Sequence, residues 1–160
     1  SVNFYIKTFF KTKIRNYGMR NVFLLLISLM ISNVSFADQH NLTLEKRQPI
    51  AELELTSVTV EGDKSVINAE SQMGVYGRVY MTFIMSSGGA GDNGTYTFEG
   101  RGYVDKETAF TGTGVGVWHR EGSNLIMDQL INISDGTVNF DRVVMNPLKR
   151  TATLAVYALK

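Results

Sequence analysis

The sequence of 160 residues contains no cysteine, only two prolines and only two histidines. Without thiols the fold has no disulfide bonds, and zinc sites with thiolate ligands, cysteine nucleophiles and lipid attachment to cysteine are excluded. With His40 and His119 as the only histidines and no nucleophile-elbow pattern around a serine, nothing indicates a Ser-His-Asp triad. The hydrophobic core alone must therefore stabilise the fold.

An apolar run near the N-terminus has the layout of a secretory signal peptide. Arg20 precedes the run from Val22 to Ile31, and small residues occupy positions −3 and −1 of a cleavage site that ends at Ala37. We therefore expect cleavage after Ala37 and a secreted or periplasmic location. An uncleaved N-terminal anchor is the alternative, although the run is shorter than the roughly 20 apolar residues of a membrane span.

Cleavage at this point divides the chain into three parts. Residues 1–37 are the signal peptide with an N-terminal extension, and the first 18 of them are interpreted as a translated upstream stretch or an extended n-region. Residues 38–50 are polar and unpatterned, which predicts a flexible leader, and residues 51–160 form one domain. From residue 38 onward the chain has 11 basic and 15 acidic residues, a formal charge of −4. We therefore expect neither nucleic acid nor, after cleavage, a membrane as a partner.

The domain has the pattern of an all-β fold. Glycine, a poor helix former, recurs throughout, and apolar and polar residues alternate with a period of two. A slip in this alternation after Leu55 predicts a β-bulge, and Ser134-Asp135-Gly136 predicts a hairpin turn. Eight strands are predicted, at 51–60, 64–70, 75–86, 95–104, 109–119, 123–133, 136–146 and 151–159.

Short strands at this spacing indicate a sandwich or a barrel, and one strand favours the barrel. In TGTGVGVW, residues 111–118, every second residue is a glycine, so the three glycines share one face of the strand. Such a strand can coil tightly, or it can let an aromatic ring from a neighbouring strand lie over its backbone. An eight-stranded antiparallel barrel is just wide enough to be filled by side chains or to hold one small ligand.

Two strands carry polar residues that could orient a ligand. Arg78 and Tyr80 share one face, and tyrosine and arginine are common in binding surfaces, although an exposed sheet face often has the same composition. Glu99 and Arg101 share the face opposite to Tyr96. On the outside they would form an ion pair of little energy, and inside the barrel they would form a buried polar pair.

The end of the glycine-rich strand supplies two further candidates. His119 shares a face with Glu121, and an imidazole near a carboxylate can transfer protons near neutral pH, although a solvated turn is the alternative. Trp118 is either packed in the core or part of a ligand wall. The glycine spacing of this strand does not form a dinucleotide-binding motif, because no helix follows it. The candidate ligand-binding residues are therefore Tyr80, Arg78, Arg101, His119, Glu99 and Trp118.

Acidic and amide side chains around the predicted hairpin turn at residues 134–136 could bind a calcium ion: Asp128, Asp135, Asn139 and Asp141. Their spacing fits no EF-hand or repeat motif, and the requirements of a turn explain Asp135. We therefore expect no metal ion and no cofactor.

Residues 80–159 resemble a known fold family. The similarity is carried by GTYTFEGRGYVD (94–105), the GTGVGVW strand, the REG turn and the ISDGTVNFD hairpin (133–141). These segments are similar to those of small bacterial proteins of unknown function with an allene-oxide-cyclase-like, calycin-type β-barrel. The resemblance implies an antiparallel eight-stranded barrel with an apolar cavity. It implies no catalysis, because no cyclase active-site residue has a match in this chain.

From the sequence we expect an exported β-barrel that binds a small, partly apolar ligand inside the barrel or at its mouth. One alternative is a cyclase or isomerase acting on an apolar substrate, in which His119 or Glu99 assists proton movement. The other is a non-enzymatic interaction module that forms oligomers through a sheet face. Binding predicts a cavity with few polar groups, catalysis predicts a titratable group with a shifted pKa in a cavity, and an interaction module predicts a filled barrel and an exposed apolar patch.

Overall fold

The computed structural model describes residues 42–89 and 91–159, and this part of the chain is all-β. The predicted signal peptide and the beginning of the predicted leader lie outside the described residues. Within the described residues no helix is long and apolar enough to cross a membrane, and the single helical element is a 3₁₀ turn, Gly74–Tyr76. The strands are β1 (Leu44–Lys46), β2 (Ala51–Glu61), β3 (Lys64–Gln72), β4 (Arg78–Ser87), β5 (Asn93–Tyr103), β6 (Ala109–Glu121), β7 (Asn124–Ile133), β8 (Val138–Asn146) and β9 (Thr151–Leu159).

Strands β2 to β9 form a closed antiparallel barrel of eight strands. Each strand pairs with the next along the chain, and β9 closes the sheet by pairing with both β8 and β2. The short strand β1 adds to the end of β9, where Leu44 lies opposite Leu159. Each of the eight barrel strands thus has a neighbour on both sides, although β2 and β9 pair only through Ala51–Glu54 of β2.

The eight predicted strands are confirmed, with two main differences in detail. Residues 44–46, within the predicted leader, form strand β1 because the end of β9 offers them unpaired backbone groups. Residues 75–77 lie outside β4, because Gly77 has a φ of 66° and the chain turns there before the strand begins. The predicted bulge in β2 is present, since the pairing of β2 with β3 shifts between Leu55 and Ser57.

The barrel interior is filled by one apolar core. On β4 the inward side chains are Val79, Met81, Phe83 and Met85, so Arg78 and Tyr80 lie on the outer face. Phe83 is completely buried, and its ring lies 6.1 Å from that of Tyr96 and 5.4 Å from that of Phe98. Other strands contribute Leu53, Leu55, Ile67, Trp118, Met127, Ile131, Val143, Met145, Leu154 and Val156.

Glycines on β5 and β6 make room for the aromatic rings of this core. A Cβ atom on Gly116 would lie 2.6 Å from the ring of Tyr96, which is its partner on β5. A Cβ atom on Gly100 would lie 2.8 Å from the ring of Phe98. Of the two alternatives for the glycine-rich strand, the one in which an aromatic ring from a neighbouring strand lies over its backbone is confirmed at Gly116 by Tyr96.

Candidate functional site

One small cleft among the described residues is lined by core side chains of the barrel. This cleft of about 50 Å³ is lined by Tyr76, Phe98, Phe110, Asp141 and other core residues. Ligand pockets usually measure about 300 to 1,000 Å³, and a water molecule takes about 30 Å³ of liquid volume. The cleft therefore has room for a few water molecules and not for an organic ligand.

Four buried polar side chains, Tyr96, Gln129, Asn139 and Asp141, form an interior polar cluster. The strand register places Gly116 beside Tyr96, Gln129 beside Gly116, and Asp141 beside Gln129, and Asn139 lies on the same face two residues before Asp141. Each of the four is at most 3 % exposed. The Tyr96 hydroxyl, both amide atoms of Gln129 and one oxygen each of Asn139 and Asp141 lack a hydrogen-bond partner among the described residues. Buried polar groups without a hydrogen-bond partner destabilise a folded protein, so such a cluster is unusual in a barrel core.

Burial changes the acidity of two members of this cluster. It raises the pKa of Asp141 to about 7. The nearby Gln129 amide and the positive charge of Arg47 lower this pKa in part, although the amide does not reach full hydrogen-bond geometry. Burial also raises the pKa of the Tyr96 hydroxyl, with further contributions from the charges of Asp141 and Asp128. Asp141 is therefore a buried carboxyl group that titrates near neutral pH.

A second site lies on the outer wall and is here named the tyrosine groove. It has a volume of about 590 Å³ and spans strands β2 to β6. Its side chains include two tyrosines, one charged pair and several hydroxyl groups: Tyr80, Tyr103, Glu99, Arg101, Thr56, Ser57, Asn68, Thr82, Thr111 and Thr113. The backbone at Gly100 and Gly112 forms part of its floor.

The polar groups of the tyrosine groove differ in how firmly they are held. On one side, Asn68 donates a hydrogen bond of 2.8 Å to Ser57 and accepts one of 2.8 Å from Thr82. Arg101 lies opposite Tyr80 in the pairing of β4 with β5, and its guanidinium has no ion pair or hydrogen bond among the described residues. The groove therefore combines a fixed rim with an unpaired positive charge.

The rings of Tyr80 and Tyr103 contribute the apolar surface of the groove. Their centroids are 6.2 Å apart at an interplanar angle of 65°, and the two residues are 51 % and 49 % exposed. Half-exposed tyrosines present a rigid apolar ring together with a polar hydroxyl, a combination suited to ligand contact.

Three of the six candidate residues from the sequence meet in this groove, namely Tyr80, Glu99 and Arg101. Arg78 lies on the same outer face but forms an ion pair with Glu70 and does not line the groove. The inward face of β4 is apolar, so Arg78 and Tyr80 lie on the outer wall of the barrel and not inside it.

The other two candidates lie at the far end of β6. His119 is exposed, and its Nε2 lies 3.0 Å from Oε1 of Glu121, which confirms that the two share a face. Trp118 is buried in the core, and its Nε1 donates a hydrogen bond of 3.1 Å to the carbonyl oxygen of Ser86. Neither residue lines the tyrosine groove or the interior cleft.

A third feature is a row of apolar side chains on the outer surface, here named the apolar wall: Ile84, Val115, Val117, Leu130 and Phe140. It lines a groove of about 720 Å³ that extends from β3 to β8. Lys64 and Asp128 are the charged residues of its lining.

The interior polar cluster is the feature that the sequence did not indicate as a site. In the sequence Asn139 and Asp141 indicate only a possible calcium site near a turn, and Gln129 belongs to no motif. Their shared parity with Val143 and Met145 is the signal that places them inside, because residues two apart on a strand share a face. Among the described residues no group of three or more histidine, aspartate or glutamate side chains is placed to hold a metal ion.

Comparison with known proteins adds no assignment: no family model, no curated protein and no solved structure matches this chain.

Proposed function

We propose that this protein binds a small, partly apolar ligand in the tyrosine groove on the outer wall of the barrel. The observation that carries the proposal is the Arg101 guanidinium, which has no partner among the described residues, beside the half-exposed ring of Tyr80 in a groove of about 590 Å³. This volume lies within the usual range for ligand pockets, about 300 to 1,000 Å³, whereas the interior cleft does not.

The chemistry of the groove indicates the kind of ligand. The rings of Tyr80 and Tyr103 would contact a flat apolar body, and Arg101 would bind a carboxylate, sulfonate or phosphate group on it. Glu99 and the threonine hydroxyls would accept or donate hydrogen bonds to polar substituents. The hydrogen-bonded rim would lower the cost of binding, because these side chains are already ordered.

We expect the fluorescent probe 1-anilinonaphthalene-8-sulfonate, an aromatic anion, to bind to the groove of the native protein. Arg101→Gln should weaken this binding about tenfold, because a hydrogen bond to a charged group contributes about 1.5 to 3 kcal/mol. Tyr80→Ala should weaken it by a similar factor through the loss of ring contact. Fluorescence titration of the wild type and both variants measures the dissociation constants.

Two control variants separate this site from other surfaces. Arg120→Gln makes the same change in charge at the opposite end of β6 and should leave probe binding unchanged. Val117→Ser removes an exposed side chain of the apolar wall and should also have no effect. Native wild type that does not bind the probe, or binding that depends on Val117 and not on Arg101, would contradict the proposal.

Catalysis is the second candidate, and one observation favours it. Asp141 lines the interior cleft, and burial raises its pKa to about 7, a value suited to proton transfer at neutral pH. We place catalysis second because the cleft of about 50 Å³ has no room for a cyclase or isomerase substrate.

We also propose that the barrel is of the calycin type, similar to allene oxide cyclase, and that the protein is exported. The closed antiparallel arrangement of eight strands supports the first proposal, and the layout of residues 19–37 supports the second. The mature protein recovered from outside the cytoplasm is expected to begin at Asp38, which N-terminal sequencing and intact mass would measure. A mature N-terminus that precedes Val22 would contradict cleavage at this site.

A further inference from the structure

Three residues of the tyrosine groove follow a fixed order on the outer face of β5. Tyr103, Arg101 and Glu99 occupy every second position of the strand, so they share that face at intervals of about 6.8 Å. In the register with β4, Tyr80 lies beside Arg101 and Thr82 lies beside Glu99. Along the groove a pair of aromatic rings is therefore followed by a positive charge and then by a negative charge.

Glu99 and Arg101 have opposite charges, and neither has a partner in the part of the chain that the structure describes. Neither side chain has an ion pair or a hydrogen bond there, and no other charged residue of that part lines the groove. On β7 and β8, by contrast, Asp128 and Arg142 of the outer face are joined by two hydrogen bonds of 2.7 Å. The groove therefore presents one positive and one negative group that a ligand can bind.

These two charges limit the kinds of ligand that suit the groove. Exposed charges are solvated by water, and a ligand that covers them must replace the interactions of that water. A simple anion bound to Arg101 would lie close to the carboxylate of Glu99 and would be repelled by it. A simple cation bound to Glu99 would be repelled by Arg101 in the same way. A ligand with both a carboxylate and an ammonium group satisfies both side chains.

We infer that the ligand of the tyrosine groove is an aromatic zwitterion, of which an aromatic amino acid is the simplest example. Its carboxylate binds to Arg101 and its ammonium group binds to Glu99. Its ring packs against Tyr80 and Tyr103, whose ring centroids are 6.2 Å apart. The assignment rests on the proposed function, because it names the ligand class of the same groove, and it makes Glu99 the residue that selects against simple anions.

Calorimetric titration of the full chain with three related compounds tests this ligand class. Phenylalanine carries both charges, hydrocinnamate is the same molecule without the ammonium group, and phenethylamine is the same molecule without the carboxylate. The wild type is expected to bind phenylalanine at least about tenfold more tightly than either of the others, because each hydrogen bond between charged groups contributes about that factor.

Variants of the two charged residues separate their contributions. Glu99→Gln should weaken the binding of phenylalanine about tenfold and should tighten the binding of hydrocinnamate, because the carboxylate that repels this anion is removed. Arg101→Gln should remove the preference for phenylalanine over phenethylamine. Glu61→Gln makes the same change in charge at the exposed end of β2, outside the groove, and should bind all three compounds as the wild type does.

The results can exclude the ligand class without excluding the groove. Thermal unfolding curves first show that each variant is folded, as is usual for exposed substitutions. Hydrocinnamate that binds to the wild type as tightly as phenylalanine, or a Glu99→Gln variant that keeps the preference for phenylalanine, would overturn the assignment of a zwitterion. Binding of the anilinonaphthalene probe that depends on Arg101 would then leave the groove in place. A wild type that binds neither this probe nor any of the three compounds would overturn both proposals.

Discussion

The free energy of unfolding is expected to fall by about 3 to 4 kcal/mol as the pH is raised from 4 to 8, because of one buried carboxyl group. Asp141 has a pKa of about 7 in the folded protein, against 3.8 for an ordinary aspartate. Between these two values the folded state holds a proton that the unfolded state has released, so raising the pH favours unfolding. The stabilisation is complete below about pH 3.8 and is lost as the pH rises to 7, at about 1.4 kcal/mol for each unit.

The Asp141→Asn variant should abolish this pH dependence. Its amide has nearly the same shape and cannot ionise, so we expect its stability to be similar at pH 4.5 and pH 8, and to exceed that of the wild type at pH 8. Urea unfolding at several pH values measures the effect, and a constant m-value would show that the transition remains comparable.

Asp135→Asn provides the matched control. The side chain and backbone of Thr137 bind the Asp135 carboxylate and lower its pKa, so its stabilisation is lost only as the pH falls below the ordinary aspartate value. This variant should therefore retain the slope between pH 4.5 and pH 8. Equal stability of the wild type at both pH values would show that Asp141 is ionised without cost in the folded state, and a slope that persists in Asp141→Asn would show that another group causes it.

The fold could be predicted from the sequence because its determinants are local. Alternation with a period of two specifies strands, the slip after Leu55 specifies the bulge, and Ser134-Asp135-Gly136 specifies a hairpin turn. The face of β4 that points inward could not be predicted in this way, since both of its faces contain large residues. Only closure of the barrel places Met81 and Phe83 inside and Tyr80 outside.

The sites could be predicted only in part, because they depend on contacts between distant strands. The sequence places Tyr80 and Arg101 each as a polar residue on a strand, but their position in one groove follows from the register of β4 with β5. The interior polar cluster depends on the register of β5 to β8, which joins Tyr96 to Asp141 across Gly116. No spacing within the sequence contains that information.

Replacement of Gly116 by alanine is expected to lower the free energy of unfolding by about 3 kcal/mol. A Cβ atom at this position would lie 2.4 Å from the carbonyl oxygen of Asp128 and 2.6 Å from the ring of Tyr96. Overpacking of a core usually costs about 1 to 3 kcal/mol and occasionally more. Here the cost is at the upper end, because the carbonyl group belongs to the neighbouring strand and cannot move without disturbing the pairing of β6 with β7.

Gly100 on β5 offers a comparison that tests whether the backbone contact is the cause of this cost. At Gly100 the closest atoms belong to the ring of Phe98, so Gly100→Ala should be less destabilising and should be partly rescued by Phe98→Leu in a double-mutant cycle. At Gly116 the corresponding Tyr96→Leu should rescue little, because the backbone contact remains. Gly89→Ala, with no atom within 4 Å of the new Cβ, should be nearly neutral. Full rescue of Gly116→Ala by Tyr96→Leu would show that ring packing, and not the close approach of β6 to β7, requires the glycine.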